Sequence, residues 1–243
     1  MNNEHTADLM DGLKLNGMAE EFRAIMSLPM QTRPGLEIAM AKLVDAERNY
    51  RERCRTDRYM KASKLRYTAS IEDIECTIDR NLTKDMLTEI ADCSFLRRAE
   101  NLLITGPTGC GKSFLACAIG RQACTLGFRT EYLNMNRFMD TITQAKLDGT
   151  FVKLLNHLNR FDLVIMDDFG LQSMDQDTRI ALLQMLEDRY ERKSTIIISQ
   201  LPVAQWYEYI AEPTLADAIC DRLVNNATLI DLKGESRRRK KKF

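Results

Sequence analysis

The hydrophobic positions of this chain change rhythm twice. In the first stretch they recur at helical spacing. Leu9, Gly12, Leu13, Met18, Phe22, Ile25 and Met26 predict one amphipathic stripe, broken by Pro29 and Pro34-Gly35. A longer helix is predicted from about Leu36 past Tyr59, with Ile38, Leu43, Val44 and Ala46 on its buried side. From 67 to about 100 the pattern weakens to short helices. One is opened by the capping-type run Ser70-Ile71-Glu72-Asp73, and one is predicted over Thr83 to Ile90.

Beyond residue 100, short apolar runs alternate with helical stretches. Strands are predicted at 102–105, 130–135, 162–166, 195–199 and 227–232. Helices are predicted over 114–125, 137–146, 150–159, 175–192, 203–210 and 214–223. The runs are apolar throughout rather than alternating, as expected of strands buried on both faces. The prediction is therefore an α/β fold, a parallel sheet covered by helices, preceded by a small all-helical N-terminal domain. The expected division is 1–66 helical domain, 67–100 connector, 101–236 α/β domain and 237–243 basic tail.

Chemistry enters where the first of these strands ends. Gly106-Pro107-Thr108-Gly109-Cys110-Gly111-Lys112-Ser113 fits G-x-x-x-x-G-K-[ST], the P-loop pattern, with Phe114 next to it in the following helix. Glycines let backbone N–H groups turn inward around a phosphate chain. The Lys112 ammonium reaches the β- and γ-phosphates, the Ser113 hydroxyl reaches Mg²⁺, and the helix turns its positive end to the same anion. The strand before the loop and the helix after it supply the context the motif needs. An ordinary glycine-rich turn is the competing reading. The expected cofactors are ATP and Mg²⁺.

A second element completes the pattern. Leu163-Val164-Ile165-Met166-Asp167-Asp168 is an apolar strand ending in two carboxylates, a Walker-B pattern. Asp167 is the expected Mg²⁺ ligand and Asp168 the residue that orients the attacking water. A buried strand ending in two solvated acids is the alternative. An acid at 168 fits hydrolysis better than transfer to a small acceptor.

Composition narrows the class. The 243 residues are 44% hydrophobic and 29% charged, with 35 basic and 35 acidic side chains, so bulk charge says nothing of a nucleic-acid partner. The seven cysteines (Cys54, Cys76, Cys93, Cys110, Cys117, Cys124, Cys220) include no C-x-x-C pair. With only His5 and His157 besides, no zinc site is expected. Scattered reduced thiols fit a cytoplasmic protein. Met1-Asn2-Asn3-Glu4-His5 lacks the features of a signal peptide, and no apolar run reaches the ~18 residues of a bilayer span, so no membrane partner is expected.

Charge is uneven locally. Arg48, Arg51, Arg55 and Arg58 fall at i, i+3, i+7 and i+10, on one face of a helix. Arg53, Lys61, Lys64 and Arg66 add to them. Tyr50, Tyr59 and Tyr67 are interleaved, and Glu47, Glu52 and Asp57 dilute them. The surface reads either as a contact for a phosphate backbone or as a solvated face with its own ion pairs. The tail Arg237-Arg238-Arg239-Lys240-Lys241-Lys242 is a second candidate contact or a solvated end.

The order Gly106–Ser113, Asp167-Asp168-Phe169-Gly170, Ser199-Gln200, Asp221-Arg222-Leu223, Gly234-Glu235-Ser236 resembles IstB, the AAA+ ATPase of bacterial insertion sequences. It is also similar to DnaC-type helicase loaders, which share that core. Leu13-Lys14-Leu15-Asn16-Gly17-Met18-Ala19 and Leu43-Val44-Asp45-Ala46-Glu47 resemble IstB segments too, so the resemblance covers nearly the whole chain. It implies a sensor of the γ-phosphate or attacking water at Gln200 or the adjacent Ser199, where the family often has Asn. It implies that Arg222 is an arginine finger completing a neighbouring subunit's site, and that Arg238, or Arg237 or Arg239 beside it, is a sensor arginine. Asp168 replaces the usual Glu of AAA+ enzymes, which implies slower hydrolysis with ATP binding intact.

The resemblance favours the DNA reading of Arg48, Arg51, Arg55, Arg58, Lys61 and Lys64. It implies a homo-oligomer, ring or helical filament, on double-stranded DNA, and a transposase of the same element (IstA-type) as partner. The function implied is an ATP-dependent regulator of transposition. A helicase loader is the alternative, against which the basic helical face argues, because protein docking needs apolar anchors. A small-molecule kinase is the third reading; phosphate release without an added acceptor, stimulated by duplex DNA, would exclude it.

Overall fold

The computed structural model describes residues 3–236, which divide into two compact units between Arg58 and Tyr59. The first unit is helical. It contains α1 (Asn3–Gly12), α2 (Asn16–Ser27) and most of α3 (Leu36–Ser63). The single stripe expected over 9–26 is in fact two helices: Lys14 takes φ 60, in the left-handed region, and the chain turns there. Leu9 and Leu13 are consequently 52% and 72% exposed.

The buried side of α3 also differs from expectation. Leu43 is buried, but Ile38 and Val44 are 59% and 58% exposed. The cause is Gly17. A Cβ there would stand 2.5 Å from the Ala46 carbonyl oxygen and 2.7 Å from Glu47 Cα, so only glycine lets α2 approach this closely. That approach selects the row Leu43, Ala46, Glu47, Tyr50 as the inner face, and that row carries a charge. Glu47 Oε2 accepts hydrogen bonds from the Gly17 and Met18 amides at 2.9 and 3.2 Å, satisfying two orphan donors of α2's first turn. Arg51 donates to its other oxygen at 2.6 Å. A hydrophobicity count cannot find a helix face centred on a carboxylate.

The second unit opens with α4 (Lys84–Ala91) and α5 (Ser94–Arg97), then β1 (Asn101–Thr105), α6 (Lys112–Thr125), β2 (Thr130–Asn134), α7 (Met135–Leu147) and α8 (Phe151–Leu158). It continues with β3 (Leu163–Phe169), α9 (Gln176–Arg189), β4 (Ser194–Ser199), α10 (Trp206–Ile210), α11 (Pro213–Val224) and β5 (Ala227–Asp231). The strands form one sheet in the order β2-β3-β4-β1-β5, and every pairing is parallel. The fold is α/β, as the apolar runs predict. Successive side chains serve opposite faces. Leu102, Ile104, Ile165, Ile196 and Ile198 pack with Leu115 and Ile119 of α6. Leu103, Val164, Met166 and Ile197 pack with Phe138, Leu182 and Trp206 on the other side.

The amino ends of β3 and β4 are tied by a single side chain. Arg189 is 1% exposed and donates to the carbonyls of Leu158 (3.3 Å), Phe161 (2.9 Å) and Asp162 (3.3 Å), and to Thr195 Oγ1 (3.2 Å). Burial lowers its pKa to about 10, so it stays charged at neutral pH. Among the described residues no helix is long and apolar enough to cross a membrane.

Candidate functional site

A parallel sheet gathers the carboxyl ends of its strands on one side, and loops there can share a ligand. β1 ends at Thr105 and the chain turns through the P-loop into α6. Gly106 has φ +138, and a Cβ on it would stand 2.1 Å from the Leu232 carbonyl oxygen, so that position admits no side chain. Lys112 is the first residue of α6 and is buried. Its ammonium donates to the carbonyls of Gly106 (2.7 Å) and Pro107 (2.9 Å), which holds it within the loop it serves. Pro107, Thr108, Gly109, Cys110 and Gly111 complete the loop, and Ser113 and Phe114 begin the helix whose free amides open on a cleft of about 550 Å³.

β3 reaches the same cleft. It runs three residues beyond the expected Met166, through Asp167 and Asp168 to Phe169. Asp167 is 1% exposed; its Oδ2 accepts a short hydrogen bond from the Tyr132 hydroxyl and its Oδ1 accepts from the Asp168 amide at 2.8 Å. Burial, then the bond to Asp167, raises the Tyr132 pKa, so the phenol remains a donor. The pairing with β4 slips between Met166 and Phe169, and Asp168 has φ 63. That conformation disfavours a side chain and turns the Asp168 carboxylate to Asn134 Nδ2, at 2.6 Å.

At the end of β4 two neighbours divide the work. Ser199 is fully buried; its hydroxyl donates to the Phe169 carbonyl at 2.7 Å and accepts from the Leu201 amide at 3.0 Å, bracing β4 on β3. Gln200 lines the cleft, and its Oε1 accepts from Thr108 Oγ1 of the P-loop at 2.7 Å. The far wall is aromatic, with the Tyr67 and Phe114 rings 6.1 Å apart.

Arg80 lines this cleft and Arg66 approaches its carboxylates, neither having been singled out for it from sequence. Arg80 Nη2 donates to the Cys110 carbonyl at 3.0 Å and its Nη1 to the Glu75 carbonyl, binding the P-loop to the segment before it. No local pattern marks Arg80. Arg66 Nη1 lies 3.8 Å from Asp167 Oδ2 and 4.0 Å from Asp168 Oδ2. Its place at the end of a basic run hid it among the expected DNA contacts.

Arg222 does not join the cleft. It lies at the last turn of α11, where Asn101, the first residue of β1, donates to its carbonyl at 2.9 Å. This is the amino-end side of the sheet, opposite the P-loop. Its guanidinium pairs with Glu187 at 2.5 Å and stands 6.0 Å from the Tyr190 ring centroid. Arg238, with Arg237 and Arg239, lies outside the described residues.

The basic residues on and after α3 are exposed, but several have internal partners. Arg48 pairs with Asp45 at 3.1 Å and Arg51 with Glu47 at 2.6 Å, while Arg55 and Arg58 are exposed further along. Lys61 is exposed, and Lys64 pairs with buried Glu131 at 2.6 Å.

The residues at the cleft fit a nucleoside triphosphate with Mg²⁺. Lys112 supplies a cation beside the P-loop backbone, and Ser113 and Asp167 supply hard oxygen donors of the kind Mg²⁺ takes. Comparison with known proteins bears on the nucleotide. The chain is 38% identical over 234 residues to the insertion sequence ATP-binding protein y4pL of Sinorhizobium fredii, covering 96% of both chains. AMPPCP-bound DnaA from Aquifex aeolicus superposes with a TM-score of 0.59 at 20% identity, over 72% of this chain and 53% of that one, about half its length. The DnaC helicase loader superposes with a TM-score of 0.56 at 18% identity, over 72% of this chain and 99% of that one. These two share the fold, that of AAA+ P-loop proteins. The family of IstB-like ATP binding proteins matches residues 8–243, and the chain belongs to it.

Proposed function

We propose that this protein is a Mg²⁺-dependent ATPase that assembles on double-stranded DNA and recruits or activates the transposase of its insertion sequence. The observation that carries the reading is a separation. Lys112, Asp167 and Asp168 meet at one cleft, while Arg222 sits at the opposite end of the sheet. An arginine needed for phosphoryl transfer and absent from its own cleft has to serve a neighbour's, and head-to-tail contacts of that kind build rings or helical filaments.

In this scheme the P-loop amides and Lys112 bind the β- and γ-phosphates, and the Tyr67–Phe114 wall receives the base. Ser113 and Asp167 would hold Mg²⁺, which would supply neutralisation of phosphate charge. Asp168, steadied by Asn134, orients and polarises the attacking water, and Gln200 reports the γ-phosphate to the P-loop through Thr108. Arg222 of one subunit stabilises the charge that develops in the next. Arg48, Arg51, Arg55, Arg58, Lys61 and Lys64 contact the phosphate backbone without reading bases. ATP favours assembly, hydrolysis dismantles it, and by linkage DNA and ATP strengthen each other's binding.

Helicase loading is the less supported alternative. The full-length similarity is to insertion-sequence proteins, whereas the DnaC likeness is one of fold. The test is imaging with duplex DNA and a slowly hydrolysed ATP analogue, alongside phosphate release. Nucleotide-dependent multimers on DNA support the proposal. Equal DNA affinity with ATP, ADP and no nucleotide, or parental hydrolysis by Lys112→Ala, would sink it.

A further inference from the structure

The cation beside Asp167 and Asp168 belongs to neither nucleotide motif. Arg66 Nη1 is 3.8 Å from one carboxylate and 4.0 Å from the other, too far for a hydrogen bond and near enough for strong attraction. Tyr132, whose hydroxyl rests on Asp167, favours the charged Arg66 guanidinium, which also lies 5.3 Å from the Tyr67 ring centroid. Two residues earlier, Lys64 has φ 54 and anchors its ammonium on Glu131, the neighbour of Tyr132 in β2. The segment that follows α3 is thus fastened to the β2–β3 edge by two cations. One sits on a structural carboxylate. The other faces Asp167, which would hold Mg²⁺, and Asp168, which would orient the water.

We propose that Arg66 is a positioning residue that competes with Mg²⁺ for Asp167, and that a phosphate backbone bound along this segment draws it away and so promotes Mg²⁺ loading. The inference rests on the Mg²⁺–ATP and DNA readings above. A guanidinium is a permanent cation, so it cannot leave by losing a proton and has to move when a divalent ion arrives. Its side chain is 44% exposed, so a phosphate oxygen can reach it. Phosphate is also the partner to which a guanidinium binds in bidentate fashion, which the 3.8–4.0 Å carboxylate contacts do not permit.

The experiment is a Mg²⁺ titration of mant-ATP binding to the full chain, with and without duplex DNA, for wild type, Arg66→Ala and Arg66→Lys. Without DNA, Arg66→Ala lowers the Mg²⁺ half-saturation about three- to tenfold, the size of one screened charge at this distance. Arg66→Lys stays near wild type. Duplex DNA lowers the wild-type half-saturation by a similar factor and leaves Arg66→Ala unmoved. A structural prop would give the opposite sign: an Arg66→Ala protein that needs as much Mg²⁺ as wild type, or more, overturns the proposal. So does duplex DNA that shifts both proteins equally. If Arg66→Ala does not fold, Arg66→Gln keeps the stem without the charge and carries the same comparison. mant-ATP affinity in EDTA and DNA anisotropy, run in parallel, report the underlying readings separately. A wild type that binds nucleotide but no duplex removes the DNA half, while the Arg66→Ala shift still decides the competition.

Discussion

Thr108 Oγ1 donates a 2.7 Å hydrogen bond to Gln200 Oε1, joining the P-loop to the end of β4. On the proposed function, the contact would give Gln200 a route by which events at a phosphate reach the sheet. Gln200→Ala is expected to slow phosphate release about 10- to 100-fold while changing ATP affinity little. Single-turnover hydrolysis and mant-ATP binding check it. Parallel loss of both would mean that Gln200 only props the loop.

Asp168 combines a left-handed backbone with an Asn134 contact, so its carboxylate is aimed at a cost in strain. Asp168→Asn should reduce turnover by about 10²- to 10³-fold and leave Mg²⁺–ATP bound. Asp168→Glu, which restores the longer acid, should accelerate phosphate release by about tenfold. If the Glu variant is slower than the parent, the shorter side chain is matched to this site rather than a brake on it.

A finger acting between subunits makes a prediction no single-chain role shares. Arg222→Ala and Asp167→Asn should each be inactive alone by about 10²-fold or more, and mixing them should restore activity, because some interfaces pair an intact Arg222 with an intact Asp167. Hydrolysis measured across mixing ratios tests this. Arg222 also pairs with Glu187, so thermal unfolding of Arg222→Ala guards against a folding defect.

Glu47 gives the N-terminal unit an acid-sensitive joint. Burial pushes its carboxyl up, but Arg51 and the Met18 and Gly17 amides outweigh that and hold its pKa below the ordinary value. A depressed carboxylate stabilises the folded state above its unfolded pKa of about 4.3, and the contribution is lost as pH falls through the folded value. Glu47→Gln should cost about 1–2 kcal/mol at neutral pH and remove that part of the acid dependence. Hydrogen exchange at the Gly17 and Met18 amides, followed from pH 7 downward, reads it directly.

Sequence pattern carried the second unit further than the first. Runs such as Leu102-Leu103-Ile104 and Ile196-Ile197-Ile198 are apolar on both faces, so burial by helices above and below is written in them. The P-loop and the Asp167-Asp168 pair were legible because their chemistry is local in sequence. Arg66 and Arg80 were not, because each acts on residues 30 or more positions away and no spacing rule links them. The inner face of α3 was misread for a related reason. Backbone proximity at Gly17 decided it, and the face that won is centred on Glu47 rather than on its most apolar residues.

Arg189 has a consequence for where this molecule can move. Its guanidinium clasps the chain just before β3 and the first residues of β4 at once, and leaving those oxygens would strand several buried acceptors together. The starts of β3 and β4 are therefore clamped together like the bound edge of a book. On the proposed function, motion driven by the γ-phosphate would appear at the opposite edge, and a neighbour on the Arg222 side would meet a fixed spine rather than a hinge.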